Sequence, residues 1–315
     1  MRIVLLDIAT LGDDISLDMF DALGEVSKYS MTAPDKVVER IADAEVVVVN
    51  KIKMTAEVLK NTENLKLICV TATGFDNIDL DYCRKNNIAV CNVTAYSTDS
   101  VMQLTVSMAM SLTMHLREFD DYVKTGEYTK SGVQNYLKPS FNEFGSMTWG
   151  VIGLGNIGKR VAEAAKALGA EVIAYKRTPD NEYNCVDIDT LCKRADIISI
   201  HTPLNKNTEN LINKQRIALM KKNAVVINVA RGKVMDEEAA AEAVLNGQIG
   251  GLGVDVYSTE PLPENHPYTR LYGSKNVILT PHMAWGAYEA RIRCMEEIKK
   301  NIEAYISGER RNRVC

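Results

Sequence analysis

Three residues far apart in the chain, Arg231, Glu260 and His282, carry the side chains needed to move a proton beside an anion. Arg231 follows Val225-Val226-Ile227-Asn228-Val229-Ala230, Glu260 lies just past Gly253-Val254-Asp255-Val256-Tyr257, and His282 follows Ile278-Leu279-Thr280-Pro281. Each run reads as a strand, so all three side chains fall beyond strand C-termini, the edge where open α/β sheets bind ligands. A guanidinium holds a carboxylate through two parallel hydrogen bonds and polarises a neighbouring carbonyl. An imidazole titrates near neutrality and can give or take a proton, and a carboxylate hydrogen-bonded to it favours the protonated ring and fixes its orientation. A cation for a carboxylate and a proton donor for a carbonyl are what reduction of a 2-keto acid asks of a protein, once a hydride carrier sits beside them.

The segment Gly153-Leu154-Gly155-Asn156-Ile157-Gly158 supplies a site for such a carrier. It closes one expected strand and opens an expected helix, the context in which a G-x-G-x-x-G run binds a dinucleotide. Gly153 permits the tight turn, Gly155 lets the backbone approach a pyrophosphate, and Gly158 lets the helix pack on the strand, while Asn156 and Ile157 sit at the helix N-terminus that attracts phosphate. The acidic residue expected about 20 positions further on is missing. Tyr175-Lys176-Arg177 stands there instead, and Lys176 and Arg177 can receive a 2'-phosphate, which tilts the cofactor towards NADP with NAD as the alternative. His201-Thr202-Pro203-Leu204 follows another strand, and His201 and Pro203 either line the nucleotide site or are structural. His115, in an apolar helix, reads as a core or interface residue, and His266, in the Pro-rich stretch 261–267, as a loop residue.

The elements that must position these groups alternate between strand and helix. Strands are expected at 3–7, 45–50, 67–72 and 89–93, with helices at 34–43, 55–61 and 80–87. A second series places strands at 148–153, 171–175, 196–201, 224–230, 252–256 and 277–280, with helices at 157–168, 213–222 and 236–246. Strands without polar alternation are buried on both faces, so both sheets should be parallel and flanked by helices. The stretch 100–123 reads as one long helix, apolar on most faces, which calls for cover from the core or from a subunit interface. The last helix, 286–307, follows the final strand directly and would fold back over the first domain.

At 315 residues the chain is long for a single core and should form two domains. Hydrophobic residues at 46% and charged residues at 25% fit a soluble globular protein. The net charge of -4 gives no basic field for nucleic acid or an anionic membrane. No signal peptide and no run of ~18 apolar residues is present, so the expected location is cytoplasmic. Seven cysteines, an odd number without a Cys-x-x-Cys pair, argue against a disulfide framework and against structural zinc, and read as mostly buried thiols; no metal site is expected.

Together the motifs resemble the D-isomer-specific 2-hydroxyacid dehydrogenase family. The likeness spans nearly the whole sequence and rests on the glycine loop 153–158, on Asn228-Val229-Ala230-Arg231-Gly232, on Asp255-Val256-Tyr257-Ser258-Thr259-Glu260-Pro261-Leu262 and on Thr280-Pro281-His282. It implies an α/β protein of two parallel-sheet domains, a flavodoxin-like substrate domain of residues 1–97 plus 283–315 and a Rossmann dinucleotide-binding domain of residues 98–282. It also implies Arg231 as the substrate-binding arginine, Glu260 as the partner carboxylate and His282 as the acid/base. Asp255 would help hold the nicotinamide carboxamide, and Thr73 and Gly74, in Ala72-Thr73-Gly74-Phe75-Asp76, would grip the substrate carboxylate through backbone N–H groups. The family's usual assembly, a homodimer built through the dinucleotide-binding domains, gives 100–123 an interface role. Within the family, Val49-Asn50-Lys51, Ala95-Tyr96-Ser97-Thr98-Asp99-Ser100-Val101 and His282-Met283-Ala284-Trp285 look most like glycerate dehydrogenases, also called hydroxypyruvate reductases, although Lys51 itself reads as a solvated lysine. The enzymatic alternatives are D-lactate dehydrogenases and D-2-hydroxyacid dehydrogenases with branched substrates, and an NAD(H)-sensing, corepressor-like binding protein is the alternative of another class.

Overall fold

The computed structural model describes residues 1–178 and 181–315, which form two compact units: Met1–Ser97 with Trp285–Cys315, and Thr98–Ala284. In the first unit, β1 (Arg2–Leu5), β2 (Glu25–Lys28), β3 (Val46–Val49), β4 (Leu67–Val70) and β5 (Ala89–Cys91) form a parallel sheet in the order β2-β1-β3-β4-β5. Side chains alternate across a strand, so successive residues serve opposite cores. Ile3, Leu5, Val46, Val48, Leu67 and Cys69 face one cluster, and Val4, Leu6, Val47, Val49, Ile68 and Val70 the other. The helix Tyr288–Ile306 closes the first cluster with Ala290, Cys294, Ile298 and Ile302, a spacing that stacks four small or apolar residues on one helical face. Each fully buried isoleucine there contributes about 1.5–3 kcal/mol.

The second unit holds β6 (Thr148–Ile152), β7 (Glu171–Tyr175), β8 (Asn184–Cys185), β9 (Ile197–Ile200), β10 (Val225–Asn228), β11 (Gly251–Val254) and β12 (Val277–Leu279). They lie in the order β12-β11-β10-β9-β6-β7-β8, all parallel among the described residues. The order reverses at β6, whose neighbours are β7 on one side and β9 on the other, which opens the crevice where such sheets take ligands. Because every strand runs the same way, each loop that follows a strand lies along one edge of the sheet. The glycine loop, Lys176-Arg177, His201, Arg231, Glu260 and His282 therefore share that edge.

Several elements differ from the sequence expectation. The stretch 100–123 is not one helix. Thr98–Thr113 ends at His115, whose φ of 53° is left-handed, and a second helix, Leu116–Lys124, starts there. A left-handed residue cannot continue a right-handed helix, and the apolar pattern ran through the break without marking it. Nor is the first helix covered all round: Val101, Thr105, Met108, Ala109 and Leu112 are buried, whereas Gln103 and Ser107 are exposed. His115 is accordingly not a core residue, and its Nδ1 lies 3.1 Å from Glu118 Oε1 at the second helix's first turn. Strands β2 and β8, and the helix Ile188–Arg194, have no counterpart in the expectation, because β2 has no fully buried residue and β8 is only a pair of residues. The helix expected at 213–222 is the single turn Lys214–Ile217.

Among the described residues no helix is long and apolar enough to cross a membrane. All seven cysteines are free thiols. Burial pushes the thiols of Cys69, Cys83, Cys91, Cys192 and Cys294 above their usual range, so these are not thiolates at neutral pH.

Candidate active site

Asp255, just past β11, is fully buried and organises the segment that carries His282. Its Oδ1 accepts the Thr280 hydroxyl at 2.5 Å and the Met283 N–H at 2.9 Å, and its Oδ2 accepts the Ala284 N–H at 2.9 Å. Burial raises the Asp255 carboxyl above the usual carboxylate range, while the Thr280 hydroxyl, the two N–H groups and the nearby His282 imidazole pull it back. Between these anchors His282 takes a φ of 55°, a left-handed conformation that persists where the surroundings over-determine it. Its Nδ1 meets Glu260 Oε2 at 2.7 Å, and the Tyr257 N–H donates to Glu260 Oε1 at 3.0 Å. An ionised carboxylate only accepts, so the His282 proton lies on Nδ1 and Nε2 is the nitrogen that can exchange one with substrate. The His282 and Glu260 side chains are 22% and 30% exposed, a paired acid and base that a small molecule can reach.

Arg231 is set by the end of β10. Asn228, wholly buried, donates from Nδ2 to the Arg231 carbonyl at 3.0 Å and accepts the Ala230 N–H at 3.1 Å, which bends the backbone out of the strand. The Arg231 guanidinium donates to the Ala230 carbonyl at 2.8 Å. The turn then presses on the loop that bears Glu260. A Cβ on Gly232 would run into the Tyr257 carbonyl carbon and the Ser258 nitrogen, so only glycine lets the two backbones meet. The structure thus joins Glu260 to His282 directly and seats the Arg231 turn against their loop.

The glycine loop leaves β6 with Gly153 at φ 95°, and its N–H donates to the Tyr175 carbonyl at the end of β7. Lys176, half-buried, and Arg177, exposed, follow at once. Gly158 packs where a Cβ would strike the Gly153 carbonyl, whereas a Cβ on Gly155 would meet nothing within 4 Å. That open space, next to the exposed Asn156 and half-buried Ile157 at the start of helix Asn156–Ala167, is a cradle a pyrophosphate fits. His201 donates its N–H to the Ile152 carbonyl and packs its backbone on Gly153. Both its ring nitrogens are buried without a hydrogen-bond partner among the described residues, and burial pushes the imidazole down to about 3, so it stays neutral. Pro203 is exposed at the start of the next turn, its carbonyl accepting the Thr208 hydroxyl. These residues fit a dinucleotide. Among the described residues no group of His, Cys, Asp or Glu side chains is arranged to hold a metal ion.

In the first unit, Thr73 is exposed, with its hydroxyl donating to the Val93 carbonyl and its own carbonyl accepting from Asn92 Nδ2, and Gly74 follows, half-buried. Asn77, four residues beyond Thr73, donates from Nδ2 to the carbonyls of Asn50 and Ile52 and so ties this loop to the one bearing Lys51. Asp7, buried at a φ of 46°, takes the N–H groups of Asn50, Lys51 and Ile52.

Reasoning from sequence missed Asn228, Tyr257, Asp7, Glu237 and His266. An Asn closing a Val/Ile run was a signal for the first. His266 does lie in a loop, but a buried one: it is 5% exposed and its Nε2 lies 3.0 Å from Glu237 Oε2. Its partner comes from 29 residues earlier, which local sequence does not announce.

Residues 106–284 match the model for the D-isomer specific 2-hydroxyacid dehydrogenase NAD binding domain. Over 312 residues the chain is 34% identical to a glycerate dehydrogenase of Methylorubrum extorquens, covering 99% of this chain and 98% of that one. Among solved structures, the D-lactate dehydrogenase of Aquifex aeolicus, complexed with NAD and lactic acid, superposes with a TM-score of 0.85 at 32% identity, covering 98% of this chain and 96% of the other. The acyclic imino acid reductase Bsp5, in complex with NADPH and D-Arg, superposes with a TM-score of 0.86 at 28% identity over the full length of both. The chain belongs to the D-isomer-specific 2-hydroxyacid dehydrogenase family, oxidoreductases with a nicotinamide-dinucleotide domain.

Proposed function

We propose that the protein interconverts hydroxypyruvate and D-glycerate, with NADP favoured over NAD. The observation that carries the reading is the 2.7 Å contact between His282 and Glu260, on the sheet edge that also carries the glycine loop. When bound, the reduced nicotinamide supplies a hydride to the keto carbon. Arg231 pairs with the substrate carboxylate and draws electron density from the carbonyl. His282 gives its Nε2 proton to the carbonyl oxygen as the new C–H bond forms, and the Glu260 carboxylate stabilises the imidazolium before transfer. In the oxidative direction His282 takes the hydroxyl proton back. Thr73 and Gly74 add backbone N–H groups for the carboxylate, and by the family likeness Asp255 would help hold the nicotinamide carboxamide. Gly153, Gly155, Asn156 and Ile157 would hold the pyrophosphate at the turn and helix start, Gly158 would let the helix pack behind them, and His201 and Pro203 would line the nucleotide site. His201 offers two nitrogens that a ligand would satisfy.

The full-length likeness to a glycerate dehydrogenase supports the substrate, and Lys176 and Arg177 support NADP through charge-assisted bonds to a 2'-phosphate. The free thiols fit a reducing cytoplasm. Exposed apolar side chains along 116–141, among them Leu116, Val123, Val133, Tyr136, Leu137 and Phe141, fit burial in a homodimer. Steady-state assays of hydroxypyruvate, glyoxylate, pyruvate and 2-ketoisocaproate with NADH and NADPH test the reading. Hydroxypyruvate should show the highest kcat/KM. Lys176→Ala with Arg177→Ala should weaken NADPH by about tenfold or more and leave NADH nearly unchanged. Binding of cofactor without turnover of any acid would sink the enzymatic reading.

A further inference from the structure

The buried pair Glu237–His266 lies outside the acid–base trio. His266 stands just before the short helix Pro267–Leu271, and Glu237 opens the helix Glu237–Leu245. The two side chains are 3% and 9% exposed, His266 being the deeper. Their hydrogen bonds fix the tautomer: His266 Nδ1 accepts the Tyr268 N–H at 3.2 Å, so the proton sits on Nε2 and is donated to Glu237 Oε2 at 3.0 Å. The other oxygen, Glu237 Oε1, accepts the Ser258 N–H at 2.8 Å. One residue earlier, the Tyr257 N–H donates to Glu260, and the Tyr257 hydroxyl donates to the Thr280 carbonyl at 2.9 Å, two residues before His282.

We propose that Glu237, oriented by His266, is a positioning residue for the Glu260–His282 pair, an inference that rests on the acid–base role given to that pair above. Ser258, Thr259 and Glu260 are exposed. The loop is fastened from beneath, where a carboxylate of limited rotation takes the Ser258 N–H in a charge-assisted bond. That bond sets the plane of the 257–258 peptide and, with it, the turn on which the adjacent Tyr257 N–H reaches Glu260. His266 keeps the carboxylate from rotating, because its single available proton is engaged by Oε2. The pair thus acts through Glu260 on the direction of the His282 ring, which matters most when the proton moves.

Glu237→Gln tests this with little change of shape. Its amide can still accept from Ser258 but then turns an N–H towards the His266 N–H, two donors face to face. His266→Gln breaks the same link from the other side, and Glu238→Gln, at an exposed neighbour paired with Arg270, is the control. In folded Glu237→Gln and His266→Gln, kcat should fall by about tenfold to a hundredfold, with KM within about twofold of the parent. Histidine ¹⁵N–¹H spectra of the protein without cofactor, simple with four histidines, add a readout that needs no turnover. The His282 Nδ1–H signal, held by Glu260 in the parent, should exchange faster in both variants and stay unchanged in Glu238→Gln. A pair that merely stabilises the core would leave kcat and that proton as they were once the variant is folded, and this result overturns the proposal. Should both variants fail to fold, Ser258→Pro removes the N–H and sets a ring carbon against Glu237 Oε1, and parent values of kcat and of the His282 signal there overturn it equally. If the parent reduces no 2-keto acid, the function proposed above fails, and the His282 proton in Glu237→Gln still decides the positioning role.

Discussion

His282 holds a left-handed backbone between Thr280 and Met283 because the buried Asp255 carboxylate collects the donors on either side of it. A residue so fixed cannot be replaced functionally by another of similar size. His282→Asn should keep the fold and lose about 10² to 10⁴ in kcat, the usual value of general acid–base assistance, as read by steady-state kinetics. Arg231→Ala should instead abolish saturation by the keto acid, and an unchanged kcat/KM would remove Arg231 from the site. His201 gives a prediction in stability. Its folded pKa, about 3, lies below the ordinary 6.5, so between these values the unfolded state binds the extra proton. Its contribution is therefore complete above pH 6.5 and is lost as the pH falls, at up to about 1.4 kcal/mol per pH unit. Urea unfolding at pH 7.5 and 5.5 should show a steeper loss in the parent than in His201→Gln, and equal losses would contradict a buried neutral imidazole.

At the scale of elements, the glycine loop separates two effects that a single substitution usually mixes. Gly158 lies against the Gly153 carbonyl, so Gly158→Ala forces strand and helix apart and should destabilise the protein by about 1–3 kcal/mol. Gly155 faces open space, so Gly155→Val should leave thermal stability close to the parent and weaken dinucleotide binding, measured by calorimetry or fluorescence, by at least tenfold. Equal binding by Gly155→Val would mean that the cradle does not take the pyrophosphate. The loop was legible in sequence because a strand, three glycines and a helix start are local features. The break at His115 was not, since Val101 to Phe119 keeps an apolar pattern on both sides of one left-handed residue.

For the whole molecule, the parallel sheet of the second unit decides which loops can cooperate. Residues as remote in sequence as Arg231 and His282 reach one edge only because β10, β11 and β12 run side by side in the same direction. The same unit presents the apolar side chains assigned above to a homodimer. Sedimentation should give twice the 34.9 kDa mass of one protomer, and Tyr136→Asp with Leu137→Asp should shift it to the single-protomer value. A monomeric parent would leave that surface without its assigned partner.

The sequence by itself determined the fold class, the strand ends that carry Arg231, Glu260 and His282, and the glycine turn between a strand and a helix, because periodicity and glycine placement act over a few residues. Only the tertiary structure decided how those groups are held. Asp255 under the His282 segment, Asn228 behind Arg231 and the Glu237–His266 pair beneath the Glu260 loop all work by hydrogen bonds whose partners meet when distant strands pair and bury them. Burial turns an ordinary polar side chain into an anchor, and burial is a property of the assembled core.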